Sequence, residues 1–206
     1  MRTWLLVAAE RREFDGILKR VGGCSRLDWP AKFACESRFQ GDRWLMIANG
    51  AGRAAVERAV RKRIEVNGIV STGFCGALDP ELRVGDIVED GIVCSDRVAV
   101  TASEKAALRE KTGARAVDME SAAIAGRARE WGVPFRSIRA VSDVAAEDLP
   151  LDFNLYIDEK GHVARGRIAF AAMKNPFTKI PALLRLDKNC RIAAEALGEF
   201  FVHRGL

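Results

Sequence analysis

"ARAVDMESAAIAGRAREWGVPFRSIRAVSD", Ala114 to Asp143, alternates two apolar runs with a stretch of small helix formers between them. It reads as strand, helix, strand: "ARAVDM" enters the helix "ESAAIAGRAREWG", and "FRSIRAVSD" follows as the second strand. Working outward, "TWLLVAA" near the start and "GIVSTG" in the middle are continuous apolar runs fit for buried parallel strands. "REFDGILKRV" has helical spacing, with Phe14, Ile17, Leu18 and Val21 on one side. "KFACESRFQGDRWLMIANG" reads as a hairpin turning at Gln40-Gly41-Asp42, and "GRAAVERAVRKRIEV" as a helix. "GDIVEDGIVCSD" is a strand region, and "SEKAALREKTG" is a helix that Ser103 caps and Gly113 ends. Repetition of strand and helix predicts an α/β layered fold.

The 206 residues, 49% of them hydrophobic, suffice for one sizeable core, and no shift in composition marks a second; one domain over 1–206 is expected. Cys24, Cys35, Cys75, Cys94 and Cys190 are scattered and odd in number, without C-x-x-C spacing. They read as buried free thiols of a reducing cytosol, and neither a disulfide framework nor a metal site is expected. No export signal or spanning run is seen, so a cytoplasmic location is expected. The net charge of +5 is concentrated late: from Lys160 onward nine basic residues face three acids. Such an excess attracts nucleic acid, anionic lipid or phosphate, although a solvated helix face is the commoner cause.

In α/β folds ligands sit beyond the carboxyl ends of the strands. Those ends carry Glu13, the glycine turn "GFCGA", "DME" at Asp118 to Glu120, and "SD" at Ser142-Asp143. Asp118 and Glu120 taken alone are first-turn helix acids that complement the helix dipole. Carboxylates gathered from several strand ends into one crevice instead suit hydroxyl binding or proton transfer. His162 and His203 lie near no such junction, which removes most support for histidine catalysis or a histidine metal site.

"STGFCGALDPELRVGDIV", "AVDMESAAIA" and "RAVSDVAAED", in this order and spacing, resemble the purine nucleoside phosphorylase and methylthioadenosine/S-adenosylhomocysteine nucleosidase superfamily. "SEKAAL" and the tail "AEDLPLDFN…IPALLRL" are most similar to its hopanoid-associated phosphorylases, bacterial proteins implied to release adenine from adenosylhopane. The resemblance implies a three-layer nucleoside phosphorylase-like fold, a central mixed sheet flanked by helices, with no cofactor. It implies that Glu120 accepts hydrogen bonds from both ribose hydroxyls while Met119 packs under the sugar, and that Asp143, beside Ser142, protonates or hydrogen-bonds N7 of the departing purine. Glu13 aligns with the residue that activates water in the nucleosidases. The bland readings are a first-turn helix acid for Glu13 and a Ser-Asp turn for Asp143.

Departures from the family's pattern accompany the matches. Phe74, after Gly73, stands where many relatives place a serine that contacts the nucleophile, and Ser71 where some phosphorylases carry a phosphate-binding arginine. Arg11, Arg12 and Arg53, the last after Gly52 in "NGAGRAA", are the available substitutes for a phosphate clamp. Val98 replaces an aromatic ring that stacks on the base, and the segment closing the 5′ pocket is short. The expected activity is cleavage of a 5′-substituted purine nucleoside, by phosphorolysis in preference to hydrolysis; a silent nucleoside-binding or membrane-associated module is the competing reading. The expected partners are a purine nucleoside, phosphate and a second copy of the chain, not nucleic acid. The tail interleaves Phe170, Met173, Phe177, Ile180, Leu183 and Leu184 with lysines and arginines, a mixture suiting peripheral contact with the inner membrane or, more commonly, a core-facing helix.

Overall fold

In the computed structural model, which describes residues 1–158 and 160–205, the buried run near the N-terminus forms the centre of a mixed nine-stranded sheet. Strand β1 (Thr3–Ala8) pairs in parallel with β4 (Asp42–Ala48) on one side and β5 (Gly68–Ala77) on the other. The short β2 (Ser25–Arg26) and β3 (Phe33–Phe39) extend the β4 edge, and the β3–β4 hairpin turns at Gln40-Gly41 as expected. Beyond β5 the sheet divides. Its length pairs in parallel with β9 (Phe135–Asp143), while its last two residues pair antiparallel with β8 (Ala116–Asp118). Strands β6 (Ile87–Val88) and β7 (Ile92–Cys94) complete the two arms against β9 and β8.

Alternation along β1 sorts the core into layers. Trp4, Leu6 and Ala8 face α1 (Asp15–Leu18) and the last third of α6 (Pro176–Arg204), whereas Leu5 and Val7 face α2 (Arg53–Ala59) and α4 (Ser121–Trp131). The fold is thus the three-layer α/β sandwich expected. A Cβ at Gly16 would lie 1.9 Å from the Ala194 carbonyl oxygen, so only glycine lets α1 meet α6 backbone to backbone. That contact anchors the turn carrying Glu13.

Several local expectations need correction. "REFDGILKRV" forms only a 3₁₀ turn (Arg11–Phe14) that runs into the single turn α1, its start held by a capping box in which the Glu13 side chain accepts from the Glu10 N–H. Helix α2 stops at Ala59, and Ile64 and Val66 pack on the core from irregular chain. Helix α3 (Ala102–Thr112) is capped by Thr101 rather than Ser103, in a reciprocal capping box with Glu104; Gly113 ends it in the left-handed region as expected. Cys24 and Cys35 are not free thiols: β2–β3 pairing brings them together as a disulfide. Of the three free cysteines Cys75 is buried, Cys94 and Cys190 only half so. The tail forms α5 (Arg165–Ala172) and α6; apart from Ala172 in α5, the core-facing reading holds from Ala193 onward.

Candidate active site

Four strand ends converge as the carboxyl-end rule requires. β1 runs into the 3₁₀ turn with Glu13, β5 ends in Gly73 to Ala77, β8 delivers Asp118 to the start of α4, and β9 ends on Ser142-Asp143. Glu13, Phe74, Val98, Met119, Glu120, Ser142 and Asp143 line one cavity of about 170 Å³. Gly73 lies just behind the wall with φ of 130°, where a Cβ would sit 2.4 Å from Glu13 Oε1. Its role is to leave room for that carboxylate. Val98 sits in a loop, with its N–H and carbonyl both held by the Asn154 side chain.

Glu13 is a first-turn acid of the 3₁₀ turn, and it is buried. Its Oε1 accepts from the Phe74 N–H and its Oε2 from the Glu10 N–H, each at 2.7 Å. Burial pushes its pKa up to about 7, the Glu120 charge adding to this, against Arg139 and the two backbone donors. Glu120, also buried, accepts from the Gly52 N–H at 2.7 Å. Burial, then the Asp118 charge, raise its pKa against the pull of Arg139 and that N–H. Asp118 is the structural member, accepting from the Ser121 N–H and hydroxyl at the head of α4.

Arg139, which the sequence reading missed, ties these carboxylates together. It is fully buried in β9, with Nη2 2.5 Å from Asp118 Oδ2 and donating to Ser71 Oγ at 2.6 Å. Its Nη1 donates to the Thr72 carbonyl at 3.0 Å and lies 3.7 Å from Glu120 Oε2. Burial opposes the guanidinium charge, but Asp118, Glu120 and Glu13 together outweigh it and hold it more firmly protonated than usual. Lys105 of α3 was missed as well. Fully buried, it places Nζ 2.6 Å from Asp143 Oδ2 and donates to the Val144 and Glu147 carbonyls. Asp143 Oδ1 accepts from the Ser142 hydroxyl at 2.8 Å.

The arginines expected to clamp phosphate do not line this cavity. Arg12 lies over the Phe74 ring and pairs with Asp187; Arg53 points along α2 to Glu57, while the N–H of Gly52 is taken by Glu120. Arg11 and Arg12 border a neighbouring groove between the 3₁₀ turn and α6. Among the described residues no group of three His, Cys, Asp or Glu side chains could hold a metal.

The sequence profile of the phosphorylase superfamily matches residues 90–172, the segment holding Val98, Lys105, Glu120, Arg139 and Asp143. Over this segment the chain is similar to that superfamily. Among relatives, a methylthioadenosine/S-adenosylhomocysteine nucleosidase of Marinomonas sp. is 26% identical over 58% of this chain and 76% of its own length. The enzyme of the same description from Shewanella halifaxensis is 51% identical, but over 47 residues, 20% of its length. Among solved structures, a Helicobacter pylori mutant of that nucleosidase with 5′-methylthioadenosine in the active site superposes with a TM-score of 0.73. It covers 98% of this chain and 96% of its own, at 14% identity. Futalosine hydrolase of Helicobacter pylori gives 0.71 at 15% identity, over 97% and 95%. These structures establish the shared fold.

Proposed function

We propose that the chain is an enzyme that cleaves the N-glycosidic bond of a 5′-substituted purine nucleoside, releasing adenine, with water as the nucleophile. The observation that carries this reading is Glu13, a buried carboxyl with a pKa of about 7, set against the nucleoside-cleaving constellation of Glu120 and Asp143. A base poised near neutrality can take a proton from water while a neighbouring group assists the leaving base. Glu120 has lone pairs to accept both ribose hydroxyls, with Met119 beneath the sugar. Asp143, paired with the Lys105 ammonium, lines the cavity, where the pair can relay a proton from the ammonium through the carboxylate to N7. The positive charge developing on the sugar is favoured by the nearby carboxylates.

Water is supported over phosphate by charge. Three carboxyls, Glu13, Asp118 and Glu120, surround one guanidinium, Arg139, which pairs with Asp118 and lies 3.7 Å from Glu120. Arg12 and Arg53 find partners elsewhere. Such surroundings disfavour a multiply charged anion. The cavity is also below the roughly 300–1,000 Å³ that encloses a drug-sized ligand, which suits a base and sugar whose 5′ group emerges from the site. A bulky 5′ substituent fits that opening, adenosylhopane being the case the sequence resemblance implies.

Two measurements test the reading. Incubation with methylthioadenosine, with and without phosphate, is expected to give adenine and a free sugar at equal rates. A sugar 1-phosphate in the mass spectrum, with a rate that saturates in phosphate, would replace water by phosphate. Glu120→Ala is expected to lower kcat/KM on the order of a hundredfold or more, since two hydrogen bonds to a charged acceptor disappear. The same variant should treat ribosides and 2′,3′-dideoxyribosides alike. A surviving preference for the riboside would remove Glu120 from the sugar site.

A further inference from the structure

Helix α6 is packed along only part of its length. Its buried residues begin at Ala193, and none lies between Pro176 and Ile192. On this stretch and the preceding α5, Phe170, Met173, Phe177 and Leu184 are 69%, 70%, 94% and 65% exposed. Phe177, Ile180 and Leu184 share one helix face by their spacing of three and four. Large side chains this exposed and this close together are unusual for a surface that stays in water.

Charge identifies the occupant. Lys174, Arg185 and Lys188 flank the apolar face, are exposed, and form no ion pair among the described residues. The single acid of the stretch, Asp187, is already shared between Arg12 and Arg191. A partner must therefore bring apolar surface together with negative charge. A second copy of the chain would set these cations against themselves, and the apolar seam in α6 ends at Leu184, far short of the several heptads that sustain helix pairing. An anionic bilayer offers both features: acyl chains for the phenylalanines and headgroups for the cations.

We propose that α5 and the first half of α6 form a docking surface for membranes bearing anionic headgroups. The surface joins the wall of the candidate active site. Lys179 Nζ donates to the Pro150 carbonyl at 2.7 Å, and the adjoining Leu149 lines the cavity. Docking there holds the cavity wall next to the bilayer and suits a substrate whose 5′ group is lipophilic. The proposal does not rest on the chemistry above: a chain that docks but cleaves no nucleoside keeps the surface and loses only the activity.

Flotation of the full chain with vesicles tests it, using phosphatidylcholine alone or mixed with phosphatidylglycerol. Binding to the mixed vesicles is expected to exceed binding to the neutral ones on the order of tenfold or more and to fall with added salt. Phe177→Glu with Leu184→Glu, and separately Lys174→Glu with Arg185→Glu and Lys188→Glu, should each abolish most of it with unchanged circular dichroism. Salt release of the unaltered chain reads the same interaction should a variant fail to fold. Equal or no binding to the two vesicle types overturns the proposal. So does a dimer in light scattering that the Phe177→Glu, Leu184→Glu variant dissociates while the unaltered chain does not float.

Discussion

Asp143→Asn is expected to lower kcat by about two to four orders of magnitude while KM changes only severalfold, the range general acid catalysis contributes. The amide keeps the shape of the carboxyl and can still hydrogen-bond to Ser142, so the base remains recognised. It cannot relay a proton. In the folded chain Asp143 meets a fully buried ammonium whose other contacts are the carbonyls of Val144 and Glu147, on the loop that follows β9. Removing the carboxylate leaves the Lys105 charge without its counter-ion, so a destabilisation of about 3 kcal/mol should accompany the kinetic loss. Steady-state kinetics on methylthioadenosine and a thermal melt read the two effects separately. A variant that melts lower but turns over at the parental rate would make Asp143 a partner for Lys105 and nothing more.

The parts legible in the sequence were those in which local pattern and tertiary position coincide. β1, β4, β5 and β9 are apolar runs because both sheet faces are covered, and the carboxyl ends of β1, β8 and β9 brought Glu13, Glu120 and Asp143 to one cavity. Arg139 was hidden inside such a run. Its signal was arithmetic: three carboxyls at neighbouring strand ends require a cation, and "FRSIRAV" holds two, Arg136, which pairs with Glu89, and Arg139, which lies in the apolar half of the run. Lys105 had no comparable signal, because "SEKAALREK" is charged nearly all round and burial is decided by what α3 packs against. The Cys24–Cys35 pairing depends on β2–β3 register, which an eleven-residue separation does not encode. The tail shows the same limit. Its mixture of Phe, Leu, Lys and Arg was plain, but whether the apolar side met the core depended on where the sheet ends.

Glu13→Gln is expected to be as damaging as the change at Asp143, lowering kcat by about two to four orders of magnitude, because the group that takes the proton from water is gone. The pH dependence distinguishes this from a packing defect. Water activation needs the ionised carboxylate, so the rate of the unaltered enzyme should rise with pH through about 7, the value to which burial pushes Glu13, and the residual rate of the variant should lack that rise. Stability should move the opposite way. The folded-state pKa is raised above 4.5, so Glu13 leaves stability intact below its unfolded pKa and removes it as pH climbs through about 7; the shift corresponds to about 3 kcal/mol. Glutamine carries no such charge. It does turn an N–H toward either Glu10 or Phe74, both backbone donors, and that penalty is the same at every pH. The difference in Tm between variant and parent should therefore shift in the variant's favour from about pH 5 to about pH 8. A pH-independent difference would mean that Glu13 is already ionised in mild acid, and with that the case for a base poised near neutrality, and for water as its partner, would be lost.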